Sequence, residues 1–435
     1  MAESKAIGIG MIGMGVVGGG VARILQERGD FFHQVRGVNL ELRRVAVRDL
    51  SKPRAVDLPR DRFTTRAEDV IDDPNIQIVI EVMGGIEPAR SLFLKAIQAG
   101  KDVVTANKAL LAEEGSELFE AAAQKQVGLG FEASVCGGIP ILQALTDGLV
   151  GNRIESLYGI LNGTTNYILT RMTEEGGDFE VMLRQAQEKG FAEADPTMDI
   201  DGTDAAQKLA LLCRLAYRVN LAPRQILKEG ISHITPLDID FARELGYTVK
   251  LLGIARAEDN RIGARVHPTL VPAGALLANI KDEFNAVEVV GSAVGPQVFH
   301  GRGAGELPTA SAVVADLVNL AERRRDGRTG GLVPLAPLPD AVLVPPEEIR
   351  TCCYCRFTVY DRPGVLAQIA SLFSEEHISI ETVIQHGRSE TEKGTVPLIM
   401  TTHGAPESAM RNAVSKISRL PVVTEPPQII RIAEP

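Results

Sequence analysis

The chain has 435 residues, with 46 Lys and Arg against 56 Asp and Glu and a formal net charge of −10. That length allows about three domains, each with a proper core, and the acidic balance leaves no basic face with which to bind nucleic acid. No apolar run is long enough to span a bilayer and the start has no signal-peptide layout, so a soluble, cytoplasmic protein is expected.

The first elements read as strand, glycine turn and helix: Ala6–Ile12, then Gly13-Met-Gly15-Val16-Val17-Gly18, then an amphipathic stretch to about Arg28. That order suits a dinucleotide pyrophosphate. Gly13 makes the turn, Gly15 lets the backbone approach the phosphates as Val16 and Val17 open the helix, and Gly18 lets helix and strand pack closely. A GxGxxG alone is weak, and a Gly-rich turn of some other α/β domain has the same letters. Strand-like runs at Arg44–Val47, Ile76–Val82 and Lys101–Thr105, alternating with helical ones, favour a doubly wound sheet. The second strand ends in Arg48-Asp49. An acid there bonds the 2′-hydroxyl of NAD and an arginine accommodates the 2′-phosphate of NADP, so Arg48 favours NADP; an ordinary exposed arginine fits equally well. Thr105-Ala-Asn-Lys108 stands at the carboxyl end of a strand, where ligands sit in such sheets, and Lys108 is either a ligand contact or a surface lysine.

The middle of the chain opens with Gly130-Phe-Glu132-Ala-Ser-Val135-Cys-Gly137-Gly-Ile139-Pro140 and continues through Asn162-Gly-Thr164-Thr165-Asn166, polar side chains between apolar runs. Their composition suits either a polar ligand or plain turn chemistry. The most informative stretch follows: Lys189-Gly190-Phe-Ala-Glu193-Ala-Asp195-Pro196, then Asp199, Asp201, Asp204 and Lys208. A calcium loop is excluded by its own spacing, because counting back from Gly202 puts Thr197 and Lys208 at the first and twelfth positions, where an EF-hand needs acids. A solvated acidic turn stays open. A helix beginning at Thr203 sets Asp204 and Lys208 one turn apart on one face. A lysine held beside carboxylates can hold an amine-bearing substrate and hand it a proton. The segment closes with Gly301-Arg-Gly-Ala-Gly305-Glu-Leu-Pro308 and a helix to about Arg324.

Residues 323–348, arginine-rich and then Pro-rich from Pro334 to Pro346, read as a linker. Beyond them the pattern is βαββαβ, with strands at Cys355–Tyr360, Ile378–Gln385, Val396–Thr401 and Val422–Ile432 and helices at Gly364–Glu376 and Pro406–Arg419, which fits a ferredoxin-like sandwich. Five cysteines, an odd number, fit a reducing compartment. Cys352, Cys353 and Cys355 lack a second Cys/His pair at zinc spacing and read as structural thiols. Neither a GxSxG elbow nor a GxxxxGK(S/T) loop occurs, which disfavours serine hydrolases and P-loop NTPases.

Thr-Ala-Asn-Lys108, Glu132-Ala-Ser-Val-Cys-Gly-Gly-Ile-Pro, Gly-Ile-Leu-Asn-Gly-Thr-Thr-Asn-Tyr, Gly-Phe-Ala-Glu-Ala-Asp-Pro, Asp-Gly-Thr-Asp-Ala-Ala-Gln-Lys208 and Gly301–Pro308 together resemble homoserine dehydrogenase, in order, over residues 5 to about 325. The run from Asp361-Arg-Pro-Gly364-Val365-Leu366 is similar to ACT domains, small-molecule sensors that often bind amino acids. Small thiols at 352–355 depart from the bulkier aromatics usual on that sensor strand. With no kinase segment ahead of the first strand, the single-function form is expected.

The resemblance implies an α/β protein: a Rossmann-type dinucleotide-binding domain over 1–135 completed by a helix near 305–324, an α+β substrate and dimerisation domain over 136–322, a linker over 323–348, and an ACT domain over 349–435. It implies reversible reduction of L-aspartate 4-semialdehyde to L-homoserine with NADP or NAD, on the route to threonine, methionine and isoleucine. Lys208 becomes the proton donor. Glu193 and Asp204 hold the substrate amine with Asp199 nearby, and Lys108 touches cofactor and substrate. Gly13, Gly15, Val16, Val17, Gly18, Arg48, Thr105, Gly190 and Gly305 approach the cofactor. A structural sodium ion is expected on Glu132 and the backbone of Val135, Gly137 and Ile139. An amino-acid effector, threonine, is expected at Asp361, Gly364, Val365 and Leu366, and a dimer or tetramer as the assembly. A dehydrogenase of another amino-acid aldehyde would share this fold. A non-catalytic nucleotide sensor would need neither the acid-lysine cluster nor its spacing.

Overall fold

The computed structural model describes residues 6–54, 56–328, 330, 338–387 and 394–433; Pro334 and Pro337 of the expected linker lie outside them. The chain forms two compact units. The first gathers residues 1–157, 206–226 and 284–341, the second residues 158–205, 227–283 and 342–435.

The first unit is built on strands β1 (Ile7–Ile12), β2 (Leu40–Ala46), β3 (Phe63–Thr64), β4 (Ile78–Glu81), β5 (Asp102–Thr105) and β6 (Leu129–Gly130), in the order β3-β2-β1-β4-β5-β6. Every pairing is parallel. This is the doubly wound order, in which the chain reverses direction across the sheet between β1 and β4 and leaves a crevice at their carboxyl ends. Central strands covered on both faces have no solvent side on which to place polar residues, and β4 accordingly reads Ile-Val-Ile-Glu, buried throughout. The helix Val16–Phe31 lies in the same core as Ala310, Val313 and Leu317 of the helix Glu306–Arg325. Their approach is close: a Cβ on Gly20 would stand 2.9 Å from that of Ala310. The antiparallel pair Phe284–Gly291 and Gly295–Arg302 also belongs to this unit.

In the second unit the strands Tyr247–Glu258 and Arg261–Pro272 run antiparallel along their whole length, both buried at most positions. The C-terminal βαββαβ is present: strands Arg350–Tyr360, Ile380–Gln385, Thr395–Thr402 and Gln428–Ile432, with helices Val365–Glu375 and Glu407–Ile417. Its first strand lies between the last and the third, all antiparallel, and the second strand is at the edge. The small thiols find a use here. Cys353 and Cys355 pack with Phe357, Phe373 and Met410 in one apolar cluster, and the two phenyl rings meet edge to face at 6.1 Å. Burial pushes the Cys353 thiol up to about 11 and Cys355 well above its ordinary value, so both are inert apolar filling.

Two features of this region are not visible in the pattern of residues. The strand expected over Val422–Ile432 ladders only from Gln428, and Val423 makes no more than an isolated bridge to Val359. Pro426 and Pro427 intervene without N–H groups to donate. The last strand also pairs in parallel with Arg261–Pro272, Thr269 opposite Arg431 and Leu270 opposite Ile432. The βαββαβ sheet is therefore continuous with the long antiparallel pair. Ion pairs reinforce the join. Asp238, fully buried in the first turn of the helix Pro236–Glu244, accepts from Arg356 Nε at 2.7 Å, Arg356 Nη2 at 3.1 Å and Tyr354 Oη at 3.2 Å, while Thr235 Oγ1 donates to it at 2.6 Å. Arg431 is gripped by Glu229 at 2.7 Å and Glu407 at 2.6 Å.

Candidate active site

The glycine turn after β1 is shaped as the spacing requires. Gly13 has φ +95°, and a Cβ there would lie 2.8 Å from the Val82 carbonyl oxygen. A Cβ on Gly18 would stand 2.6 Å from the Gly13 carbonyl oxygen and 3.1 Å from Met11 Sδ, so helix and strand touch where only hydrogen fits. Gly15 is the N-cap of the helix Val16–Phe31. It supplies no side-chain cap, the first turn carries no acid, and the space beside its Cα is open. The N–H groups of Val16, Val17 and Gly18 are thus the uncapped amides of a helix N-terminus facing an unfilled space, which fits a diphosphate. Arg48 is exposed two residues beyond β2. Its neighbour Asp49 is bound by Ser51 N at 2.8 Å and Ser51 Oγ at 2.7 Å, contacts that hold its carboxyl below the usual range.

At the ends of β4 and β5 the structure adds residues that the sequence reading passed over. Glu81 is buried; it accepts from Thr105 Oγ1 at 2.7 Å and from Met83 N at 2.9 Å. Thr105 Oγ1 in turn accepts from Asn107 N at 2.9 Å. Asn107 caps the helix Lys108–Lys125 by accepting from Leu110 N, and donates to the Gly85 carbonyl at 2.7 Å. Lys108 is the first helical residue, half-buried, on a backbone fixed by this network. The signal for Glu81 was an acid closing an all-apolar strand. Gly305, at φ +121°, heads the helix Glu306–Arg325, again with no side-chain cap.

The loop after β6 carries Glu132 in a short turn, with Val135, Gly137 and Ile139 beyond it. The Glu132 carboxyl is buried and accepts from Leu142 N and Gln143 N, each at 2.8 Å. Burial outweighs these bonds and pushes it up to about 7. Asp316, buried on the Glu306–Arg325 helix, accepts from Glu132 N at 2.9 Å. It was legible as the one acid in the apolar run Ala312–Leu317. Each carboxylate oxygen of Glu132 keeps a lone pair, so one carboxylate with backbone carbonyls gives the hard oxygen donors that suit a sodium ion.

In the second unit the acidic stretch divides by environment. Glu193 and Asp195 are exposed, Asp199 and Asp201 half-buried, and Asp204 is 5 % exposed. Asp195 and Asp201 serve turns. Asp195 binds Thr197, and Asp201 binds Thr203 and Lys228 Nζ at 2.7 Å. Asp199 and Asp204 are joined by one side chain: Asn162 Nδ2 donates to Asp199 Oδ1 at 2.7 Å and to Asp204 Oδ2 at 2.9 Å. The Asn162 carbonyl oxygen is occupied as well, capping the helix Gly163–Glu175 through Thr165 N at 2.8 Å. Thr164 Oγ1 donates to the Phe191 carbonyl at 2.6 Å and so anchors the segment that leads to Glu193. Gly190, at φ +76°, sits in the same segment just past the helix Phe179–Glu188. Asp204 lies in the first turn of the helix Thr203–Tyr217, and Lys208, half-buried, follows one turn later on the same helix.

The segment 140–318 matches the family model described as homoserine dehydrogenase, 13–132 the one described as homoserine dehydrogenase, NAD binding domain, and 354–419 the ACT domain. The homoserine dehydrogenase of Bacillus subtilis (strain 168) is 43 % identical over 432 residues, covering 98 % of this chain and 98 % of its own. The chain belongs to the homoserine dehydrogenase family. The homoserine dehydrogenase of Pseudomonas aeruginosa is 41 % identical over 434 residues, covering 99 % of both chains. A crystal structure of a homoserine dehydrogenase from Thiobacillus denitrificans superposes with a TM-score of 0.91 at 43 % identity, covering 99 % of each chain, and one from S. aureus with 0.77 at 31 %, again over 99 % of each. Membership makes this an oxidoreductase of CH–OH groups that uses a nicotinamide cofactor, with an ACT domain at its C-terminus. No helix among the described residues is long and apolar enough to cross a membrane.

Asn162 holds both Asp199 and Asp204, and a homoserine dehydrogenase must recognise the ammonium of its substrate. Asn162→Ala should therefore raise the KM for homoserine roughly tenfold or more, since a lost hydrogen bond to a charged group is worth about 1.5–3 kcal/mol. Affinity for the nicotinamide cofactor should not move. Steady-state kinetics with a direct cofactor titration checks both halves.

Proposed function

We propose that this chain interconverts L-aspartate 4-semialdehyde and L-homoserine, with Lys208 as the proton donor and Glu193 and Asp204 as the seat of the substrate ammonium. The observation that supports it most is the carboxylate pair Asp199 and Asp204, fixed by Asn162 at the start of the helix that carries Lys208 one turn on. When bound, the nicotinamide would supply a hydride to the aldehyde carbon. The carbonyl oxygen then takes a proton from the Lys208 ammonium and leaves as the alcohol; in the other direction the neutral amine of Lys208 removes the hydroxyl proton. Glu193, exposed, and Asp204, held rigidly, bind the ammonium as anions, with Asp199 beside Asp204 sharing its amide. Lys108, on its network of Asn107, Thr105 and Glu81, is set to meet cofactor and substrate.

The same assay tests the whole reading: nicotinamide absorbance with homoserine against a panel of other amino alcohols. Lys208→Ala should lose about 10²–10⁴ in turnover while cofactor affinity persists. Near-native turnover in that variant removes Lys208 from the mechanism, and preference for another alcohol reassigns the substrate.

NADP is the preferred cofactor in this proposal, through Arg48, whose exposed guanidinium suits a 2′-phosphate while Asp49 is engaged by Ser51. Arg48→Ala should weaken NADP by about 1–3 kcal/mol more than NAD. Equal losses return Arg48 to the ordinary surface. The sodium ion belongs on Glu132 and the carbonyls of Val135, Gly137 and Ile139, where a cation would relieve the buried carboxylate; replacing sodium by potassium in the assay and in unfolding reads its presence. The enzyme acts in the cytoplasm as a dimer or tetramer, a state that light scattering measures.

The ACT domain is a threonine sensor in this proposal. Gly364, at φ +89°, caps the helix Val365–Glu375, whose N-terminus suits a carboxylate beyond Val365 N, which donates to the Arg362 carbonyl at 3.4 Å. Asp361 is half-buried and accepts from Gln385 Nε2 at 3.4 Å, and Leu366 is exposed at 44 %. The Val365 side chain is in the core. Deleting the domain would strip Arg261–Pro272 of a neighbour and leave Asp238 buried without Arg356, so a point change is the cleaner test. Asp361→Ala should weaken threonine inhibition by tenfold or more with uninhibited turnover unchanged. An unaltered threonine response, or none in the native protein, ends this reading.

A further inference from the structure

A second cluster of charged side chains stands apart from the carboxylates above, within the second unit where the strand Arg261–Pro272 meets the last strand. Arg265 is 8 % exposed. Its Nε donates to His267 Nε2 at 3.1 Å, and His267, fully buried, has its other ring nitrogen 2.9 Å from the Pro268 carbonyl oxygen. Those partners assign the ring proton to Nδ1 and make His267 neutral, in keeping with a pKa pushed well below the ordinary value by burial and by Arg431 and Arg265. A guanidinium carries five N–H donors. Among the described residues the Nη groups of Arg265 find no acceptor and no carboxylate pairs with it.

The surroundings deepen the imbalance. Arg256, Arg350 and Arg431 line the same recess. Glu229 and Glu407, the nearby acids, are both spent on Arg431. Arg256 Nε turns to Tyr158 Oη at 2.7 Å, and Arg350 Nη2 to the Gly404 carbonyl at 2.6 Å. Burial and the neighbouring Arg256 push Arg265 down to about 10, which still leaves it charged at neutral pH. A buried charge without a counterion is among the most costly arrangements a fold can hold, and a water molecule supplies a dipole but no charge.

We propose that this recess is a binding site for a monatomic anion of chloride's size, held by the Nη groups of Arg265. Size selects the class. The recess encloses about 300 Å³ of non-atom space, much of it narrow or open to solvent, and its wide part has room for a single small body. A phosphate or an amino-acid carboxylate would have to part the walls; a halide would not. Filling it would steady the join between the two strands, because Arg431 and Ile432 both pair across it and border the site.

The test uses the full chain, with sodium and ionic strength held constant, and compares thermal unfolding in chloride with unfolding in gluconate. The native protein should gain about 1–3 °C for each tenfold in chloride once the site is filling, and gluconate should give nothing. Arg265→Met, similar in volume but uncharged, should unfold at one temperature in both salts. If that variant does not fold, crystals of the native protein soaked in bromide should show anomalous density beside Arg265 Nη. Equal midpoints for the native protein in the two salts would overturn the proposal. So would a chloride gain that Arg265→Met retains, bromide-soaked crystals with no density beside Arg265 Nη, or protection by phosphate without protection by chloride.

Discussion

A side-chain amide has two N–H donors and one acceptor oxygen, and in Asn162 each is committed: the donors to Asp199 and Asp204, the oxygen to the first turn of the helix Gly163–Glu175. The proposed seat of the substrate ammonium rests on that arrangement. Two carboxylates close together repel, and without a donor between them they would turn apart toward water or one would take up a proton. A neutral donor holds the pair in place without adding a positive charge to it. A lysine in place of Asn162 would satisfy the same carboxylates too well, by neutralising the charge that the substrate is meant to meet.

The same discipline runs through the second unit, and its exceptions are informative. Asp238 is matched by Arg356, Tyr354 and Thr235, and Arg431 by Glu229 and Glu407. Lys250, 2 % exposed, donates to Asn166 Oδ1 at 2.9 Å and to the Ile280 carbonyl, neutral acceptors, and burial pushes it down to about 8. These matched groups tie residues far apart in sequence, and two of them join the ACT strands to the remainder of the unit. A sensor joined only by a flexible tether could bind its effector with no consequence elsewhere. One whose sheet continues into the Arg261–Pro272 strand, with buried ion pairs across the join, belongs to the same compact unit as the residues that carry Asp199 and Asp204. That continuity is a physical route for regulation, since an effector acts only through a difference in its affinity for two arrangements of what it is attached to.

Local chemistry was legible in the sequence and long-range pairing was not. The glycines at 13, 15 and 18 declare a close approach because no other residue tolerates it, and the distances an added Cβ would meet bear out Gly13 and Gly18. Alternation and length marked the ACT elements to within a few residues, apart from the strand cut short by Pro426 and Pro427. The parallel pairing of Thr269 and Leu270 with Arg431 and Ile432 uses main-chain groups some 160 positions apart, and no side chain advertises it. For the same reason Asn162 was one of four polar side chains that fitted a polar ligand or a turn equally well, although its type and its position before a helix both suited an N-cap. Glu81 and Asp316 were the readable exceptions, acids in runs otherwise committed to the core.

The dinucleotide is an anion and the amino-acid substrate a zwitterion, and in the proposed reading different residues meet the phosphates and the substrate ammonium. The turn that approaches the dinucleotide has bare amides, no acid in the first turn and no side-chain cap, so nothing on the protein competes with phosphate for those N–H groups. In the proposed reading the substrate is recognised through its ammonium, by acids gathered on the stretch from Glu193 to Asp204. Lys208 serves the proton transfer in the proposed mechanism. It follows Asp204 by one helical turn, and in that reading it gives its proton to an oxygen that gains negative charge as hydride arrives. The helix provides that spacing by its pitch alone, which is why the pair Asp204 and Lys208 could be recognised before any tertiary contact was known.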